Sequence, residues 1–347
     1  MKPFYTRRRL ALLLALLAFL LLLPAQAAAA SRGISVQKAP VKVKTPFVAG
    51  HYRALIVGNN DYRDPENRWP PLSTAVSDAR ALANLLSTSY GFDDITLLTN
   101  ATRRDILLAL SELSGRVMPN DSVLVYYAGH GFMDPDTQRG YWVPVDARGT
   151  DQTTFLRNST IRDEMNTIAA RGRHTLLIAD SCFSGSLLRS GTRGLPPTSN
   201  VERYYEKVAQ KKSVQVMAAG GVEYVDDNYQ TTGHSPFTYF LLNELKYNDR
   251  PLLTVSELSQ NVEKAVANNV AQVPESGVLQ GAGDELGEFI FINVDVSVDG
   301  VDRDRVKVKV NLKPKPADRE AQTAVTPGGT PTPLTLPDVP SLPMPTL

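Results

Sequence analysis

Thr175-Leu176-Leu177-Ile178-Ala179-Asp180-Ser181-Cys182-Phe183-Ser184-Gly185 is the stretch on which the reading of this chain turns. Its first five residues form a near-continuous apolar run, the pattern of a strand buried on both faces. The run breaks at an acid and then at the only cysteine in 347 residues. Upstream, the apolar run Val123–Tyr127 ends in the same manner, in Ala128-Gly129-His130-Gly131. Strands of this kind belong to parallel sheets covered by helices, and such sheets bind ligands outside the carboxyl ends of their strands. Cys182 and His130 both fall at such ends. On neighbouring strands, thiol and imidazole face each other across one crevice, where the histidine takes or shares the thiol proton and the thiolate is the nucleophile. A lone cysteine is more commonly an inert core residue. The glycines beside both strand ends favour the nucleophile. Gly131 leaves its backbone N–H open to a developing oxyanion, with the N–H of Cys182 as a second donor.

The alternation extends in both directions. Tyr52–Val57 is an apolar run closed by the turn Gly58-Asn59-Asn60-Asp61, and Arg63–Pro71 is a loop rich in Pro, Asn and charge. Leu72, Ala75, Val76, Ala79, Leu82, Ala83 and Leu86 recur at three- and four-residue spacing and predict an amphipathic helix. Ile95–Leu98 reads as strand, and Thr102 with Asp105 as a capping box opening a helix that carries Ile106, Ala109, Leu110 and Leu113. Tyr141–Val145 is extended, Ile161–Ala170 a helix, Val214–Ala218 a strand, Pro236–Leu245 and Val255–Val266 helices, and Glu288–Val294 a last strand. Gly191–Lys212, with Gly194-Leu195-Pro196-Pro197 and a charged stretch ending in Lys211-Lys212, reads as a long surface loop with at most one helical turn. The fold class that follows is α/β, a mainly parallel sheet with helices on both faces.

Taken together, Ala128-Gly129-His130-Gly131 and Asp180-Ser181-Cys182-Phe183-Ser184-Gly185 resemble the caspase-like peptidases, in their metacaspase and bacterial caspase-homologue branch. Ala54–Tyr62 is similar to that family's opening strand, Tyr141–Ala147 to the extended segment after the histidine, and Gly233–Tyr239 to a helix start in the second half. The resemblance implies a caspase-like three-layer sandwich and endopeptidase activity through Cys182 and His130, with the oxyanion held by the N–H groups of Gly131 and Cys182. It also implies cleavage after Arg or Lys, with Asp78 and Asp180 lining the primary specificity pocket. Two carboxylates at a pocket floor pair bidentately with a guanidinium and repel an acidic side chain. Asp180 can alternatively cap a following helix, and an acid at Asp78 on a helical turn is ordinarily solvated. Asp226 and Asp227 are candidates for the pocket rim. Ala128 replaces a small polar residue usual in the family, which removes one pocket hydrogen bond. Some members hold calcium on scattered carboxylates. Asp146, Asp163 and Glu164 stand at comparable places, but Arg189 occupies the stretch where a further acid belongs, and an arginine opposes a dication. No cofactor, calcium included, is therefore expected. His51, His174 and His234 sit at strand or helix starts, where capping is the ordinary reading, and no cysteine is spare for a zinc site.

The ends of the chain differ in kind. Met1–Ala30 has a basic n-region at Arg7–Arg9, a 14-residue apolar stretch Leu10–Leu23, and A-x-A-like sites at Ala25-Gln26-Ala27 and Ala28-Ala29-Ala30. Fourteen residues are short of the roughly 20 that span a bilayer, so a cleaved export signal is preferred to an anchor, and the membrane is met only in transit. Residues 31–47 form a polar leader, 48–294 the peptidase-like domain, and 295–347 a charged and then Pro/Thr-rich flexible tail that a partner could recognise. The expected location is periplasmic or secreted. Without Lys2 and Arg7–Arg9, the 37 basic residues fall to 33 against 36 acidic, so no basic face for nucleic acid is indicated. Expected partners are protein or peptide substrates with basic residues. Self-cleavage is expected between Arg189 and Lys212, at Arg189, Arg193, Arg203, Lys207 or Lys211. The rival readings are a non-catalytic caspase-fold binding or scaffold protein of the cell envelope, and a transpeptidase on the same scaffold.

Overall fold

The computed structural model describes residues 50–182, 187–189, 201–220, 227–281, 283–296 and 309–312. In chain order the elements are β1 (Tyr52–Gly58), α1 (Ala75–Ser89), β2 (Asp94–Thr99), α2 (Arg103–Arg116), β3 (Ser122–Ala128), β4 (Gly131–Asp134), β5 (Arg139–Trp142), β6 (Leu156–Arg157), α3 (Asn158–Arg171) and β7 (His174–Asp180). They continue with β8 (Leu188–Arg189), α4 (Val201–Gln210), β9 (Ser213–Ala218), α5 (Pro236–Lys246), β10 (Leu252–Thr254), α6 (Val255–Ala267), β11 (Glu275–Leu279), β12 (Ile290–Ile292) and β13 (Lys309–Leu312).

Eight strands form the main sheet in the order β13-β2-β1-β3-β7-β9-β11-β8. From β13 to β9 every neighbouring pair is parallel, whereas β11 runs antiparallel to both β9 and β8. The period-two alternation of the strands builds two cores. Ala54, Ile56, Leu124, Tyr126 and Ile178 face one side and pack with α1, α4, α5 and α6. Leu55, Val57, Val123, Val125 and Leu177 face the other and pack with α2 and α3. Leu177 and Ile178 are both fully buried, and each aliphatic side chain so buried contributes about 2 kcal/mol. β7 thus ties both helix layers to the sheet. The result is the expected three-layer sandwich.

Local chemistry sets the helix starts. Thr102 and Asp105 form a reciprocal capping box ahead of α2, and Thr254 and Glu257 form another ahead of α6. Ser235 caps α5 through the Thr238 N–H, with Pro236 in the first turn.

Several segments depart from the sequence reading. Within Gly191–Lys212, read as loop, the chain forms α4, a helix of 10 residues with Tyr205, Val208 and Ala209 packed into the core. Glu288–Val294 contributes only β12, which pairs with β10 in a separate two-stranded sheet. Leu72 precedes α1 rather than lying in it. The strands β4, β6, β8, β10, β11 and β13 had no distinct pattern, and β13 joins the main sheet from the stretch following Asp295. The export signal, the polar leader, Phe183–Gly185, Asp226 and the Pro/Thr-rich end lie outside the described residues. No described helix is long and apolar enough to cross a membrane.

Candidate active site

Parallel pairing of β3 with β7 in the register Ala128↔Asp180 brings the two strand ends side by side. The Gly129 N–H donates to the Asp180 carbonyl at 3.3 Å, which ties the two exits together. His130 and Cys182, one and two residues further on, line the same pocket. A Cβ at Gly131 would be driven into the Cys182 carbonyl oxygen, so only glycine lets the chain after His130 pass this close to the cysteine backbone. Gly129 is confined in the same way, with a Cβ there meeting the Tyr62 and Tyr127 hydroxyls at 2.7 and 2.8 Å.

His130 is held at several points. Its N–H donates to the Tyr62 hydroxyl at 2.7 Å, and its carbonyl accepts from the Tyr127 hydroxyl at 2.9 Å. The Tyr62 and Trp69 rings lie 4.6 and 5.7 Å from the imidazole. Nε2 is 2.8 Å from the Pro70 carbonyl oxygen. A carbonyl only accepts, so Nε2 carries the proton of the neutral ring and Nδ1 keeps its lone pair. Burial disfavours the imidazolium and lowers the His130 pKa, against the opposing effects of the Pro70 carbonyl and the Asp227 charge. Near neutral pH the ring is therefore a base with an open nitrogen.

The pocket is also acidic. Asp78, Asp180 and Asp227 line the pocket together with Leu72, Thr74, Ala75 and Ser235. Asp78 lies in the first turn of α1, where an acid is ordinarily solvated, but here it is buried. It accepts from His234 Nδ1 at 2.6 Å and from the Ser235 N–H at 3.2 Å. His234, read from sequence as a capping residue, is thus a partner of Asp78. Asp180 accepts from Ser235 Oγ at 2.5 Å and Thr238 Oγ1 at 2.7 Å, both through Oδ2. Its Oδ1 is buried without a hydrogen-bond partner among the described residues. Burial, and then the neighbouring Asp78 charge, push the Asp180 carboxyl up to about 7, against the Ser235 and Thr238 hydroxyls that lower it. Burial likewise raises Asp78, opposed mainly by His234. A cation placed beside the two acids would relieve the repulsion between them.

Other residues singled out from sequence lie elsewhere. His51 pairs with Asp93 at 2.5 Å, and His174 is buried between Ser213 Oγ and the Ala209 carbonyl, each at 3.0 Å. Asp146 accepts from the Arg103 N–H at 2.8 Å, and Asp163 is 3.7 Å from Arg162. Among the described residues no group of three or more His, Cys, Asp or Glu side chains is arranged to hold a metal. Of the candidate cleavage positions, Arg203 and Lys207 lie within α4 and Arg189 in β8, so cutting there needs local unfolding first. Two contributors were not assigned to the site from sequence: the Pro70 carbonyl, which is backbone, and His234, read as a cap, whose pairing with Asp78 is long-range.

A family profile described as Caspase domain matches residues 51–278. Metacaspase-1B of Aspergillus fumigatus is 30% identical over 160 residues, covering 40% of this chain and 36% of that protein. Metacaspase-1 of Saccharomyces cerevisiae is 31% identical over 160 residues, covering 40% and 34% respectively. The chain thus spans about a third of the length of these curated relatives. Caspase-1 from Spodoptera frugiperda aligns over 70% of this chain and 96% of its own, with a TM-score of 0.46 and 15% identity. A Geobacter sulfurreducens protein of solved structure aligns over 69% and 99%, with a TM-score of 0.46 and 19% identity.

Proposed function

The chain belongs to the caspase-domain family, and from that premise we propose that it is a cysteine endopeptidase that cleaves after Arg or Lys. Supporting this is one pocket lined at once by His130, Cys182 and three carboxylates, one of which leaves a buried oxygen without a donor. In the proposed reaction Nδ1 of neutral His130 takes the Cys182 proton, and the thiolate adds to the scissile carbonyl carbon. The N–H groups of Gly131 and Cys182 receive the oxyanion. The imidazolium returns its proton to the leaving amine as the C–N bond breaks, and water then hydrolyses the thioester. The basic side chain of the residue before the cut sits between Asp78 and Asp180, where a guanidinium spans both acids. No metal enters any step. Export through Met1–Ala30 is part of the same proposal.

The test is turnover of chromogenic peptides ending in Arg, Lys or Asp by the purified protein, with and without calcium. Wild type should cleave the basic pair and spare the acidic one, and Cys182→Ala should abolish cleavage. Undiminished turnover by Cys182→Ala, or equal cleavage after Asp, sinks the proposal.

A further inference from the structure

Asp227 reaches the pocket from the chain ahead of α5, yet its side chain is spent on residues far upstream. Its Oδ2 accepts from the Ser73 N–H at 2.6 Å and Ser73 Oγ at 2.7 Å. Its Oδ1 accepts from the Thr74 N–H at 3.3 Å and Thr74 Oγ1 at 2.9 Å. Thr74 Oγ1 also approaches the Asp227 carbonyl oxygen. Thr74 is the N-cap of α1, and its own side chain caps nothing in that helix. Asp227 therefore holds the two residues that lead into α1 from a distant loop, while the Val76 N–H inside the first turn is taken by Asn60 Oδ1. A carboxylate offers about four acceptor positions; Oδ2 here holds two donors, and Oδ1 holds the Thr74 N–H and shares the single Thr74 hydroxyl proton with the Asp227 carbonyl. It has little left for a substrate cation, in contrast to Asp180 with its unbonded Oδ1.

What the clasp holds matters for the histidine. Ser73 lies three residues after Pro70, whose carbonyl accepts the His130 Nε2 proton at 2.8 Å. Between them the segment is anchored by the Leu72 N–H on the Asn60 carbonyl at 3.1 Å. Leu72 and Thr74 themselves form pocket wall. We infer that Asp227 is a positioning residue of the reaction proposed above, holding segment 70–74 so that the Pro70 carbonyl orients the imidazole toward Cys182. The inference rests on the Cys–His reading of the site and adds to it a residue that touches neither substrate nor sulfur. Losing the clasp need not unfold the region, because Ser77 Oγ still reaches the Gly233 carbonyl at 2.6 Å and His234 still reaches Asp78.

The experiment compares full-length wild type, Asp227→Ala and Asp227→Asn in peptide turnover, in alkylation of Cys182 by iodoacetamide near neutral pH, and in melting temperature. Asp227→Ala should lose kcat by roughly 100-fold, the scale of loss when reacting groups are misplaced by about an ångström, while KM moves by less than about threefold. Its alkylation should slow by about tenfold, since the imidazole no longer supports the thiolate. Asp227→Asn keeps an acceptor oxygen for one of the two backbone N–H groups and should recover part of both losses. Wild-type kcat and alkylation in folded Asp227→Ala overturn the inference. So does a raised KM at unchanged kcat, which would make Asp227 a direct substrate contact. Should Asp227→Ala fail to fold, Ser73→Ala decides by the same readouts, with a several-fold fall in kcat expected and no fall overturning the clasp. A wild type that turns over no peptide sinks the peptidase reading, while the alkylation ratio still tests the clasp separately.

Discussion

Within the pocket, the part of the wall that carries His130 and the part that carries Asp78 and Asp180 are held in opposite ways. On the first, the backbone N–H, the carbonyl and Nε2 of His130 all have partners within 2.9 Å, and aromatic rings brace the imidazole. On the second, two acids are buried beside each other, both with raised pKa values, and one oxygen of Asp180 has no donor. A prearranged wall needs no reorganisation during bond-making. A wall of incompletely compensated acids is unfavourable until a cation enters, and it gains most from the right ligand. The dyad wall should therefore govern kcat, and the acid wall should govern side-chain choice, KM and pH response.

The harshest way to break this contrast is Gly131→Ala. The added methyl falls on the Cys182 carbonyl, so backbone must shift where the thiol and the oxyanion donors meet. The expected loss in kcat is roughly 100- to 1,000-fold, comparable to removing an oxyanion donor. Single-turnover acylation checks it, and near-normal acylation would show that the dyad wall has slack the geometry does not suggest. Next in size is Asp180→Asn, which keeps shape and removes charge. Losing a charge-assisted hydrogen bond of about 2–3 kcal/mol should raise KM for an Arg peptide by about 30- to 150-fold. Alkylation of Cys182 should change far less. Parallel losses in both would erase the division between the walls.

How much of this was legible follows from where each interaction lives. β3 and β7 are central parallel strands, so both faces are apolar and each run stands out, and His130 and Cys182 follow directly where those runs stop. Asp78 and Asp180 came through resemblance. Their burial, and the pairing of Asp78 with His234, depend on contacts across some 156 residues that no local pattern encodes. The helix α4 was missed because Glu206, Lys207 and their charged neighbours dominate its composition. Its apolar stripe is short, with Tyr205, Val208 and Ala209 buried. β11 was missed because a short antiparallel segment, one strand in from the edge and with exposed Glu275 and Ser276, lacks the buried run that marked the central strands. The tie between Asp227 and Ser73 spans 154 residues, and Pro70 acts through its carbonyl, which any residue would supply.

The raised acids also make a prediction about stability. Asp180, at about 7 in the folded protein against an ordinary value of 3.8, binds its proton more tightly folded than unfolded. Its stabilising effect is complete below the unfolded value and is lost as pH rises through the folded one. Asp78, also raised, acts with the same sign. Melting temperature of the ligand-free protein should therefore fall between about pH 4 and about pH 7, and a bound arginine-containing inhibitor should oppose the fall. Asp180→Asn should flatten the profile. An unchanged slope in that variant would move the destabilising charge elsewhere.

The smallest and most discriminating change is Thr238→Val. Thr238 Oγ1 donates to Asp180 Oδ2 at 2.7 Å and lies 2.7 Å from the Tyr126 hydroxyl. That donation holds the Asp180 pKa down, so its loss should push the carboxyl further up. Under the proposed specificity an Arg side chain binds the ionised form, so the rise of kcat/KM with pH should move to higher pH in the variant, with kcat at the plateau nearly kept. The Tyr126 hydroxyl loses a partner as well, at about 1 kcal/mol of stability. His130 has no hydrogen bond to Thr238 among those described. A displaced profile with an intact plateau would thus tie the pH response to the acid wall. An undisplaced profile would mean that the titration seen in kcat/KM belongs to the dyad, and the separation of roles between the walls would fail.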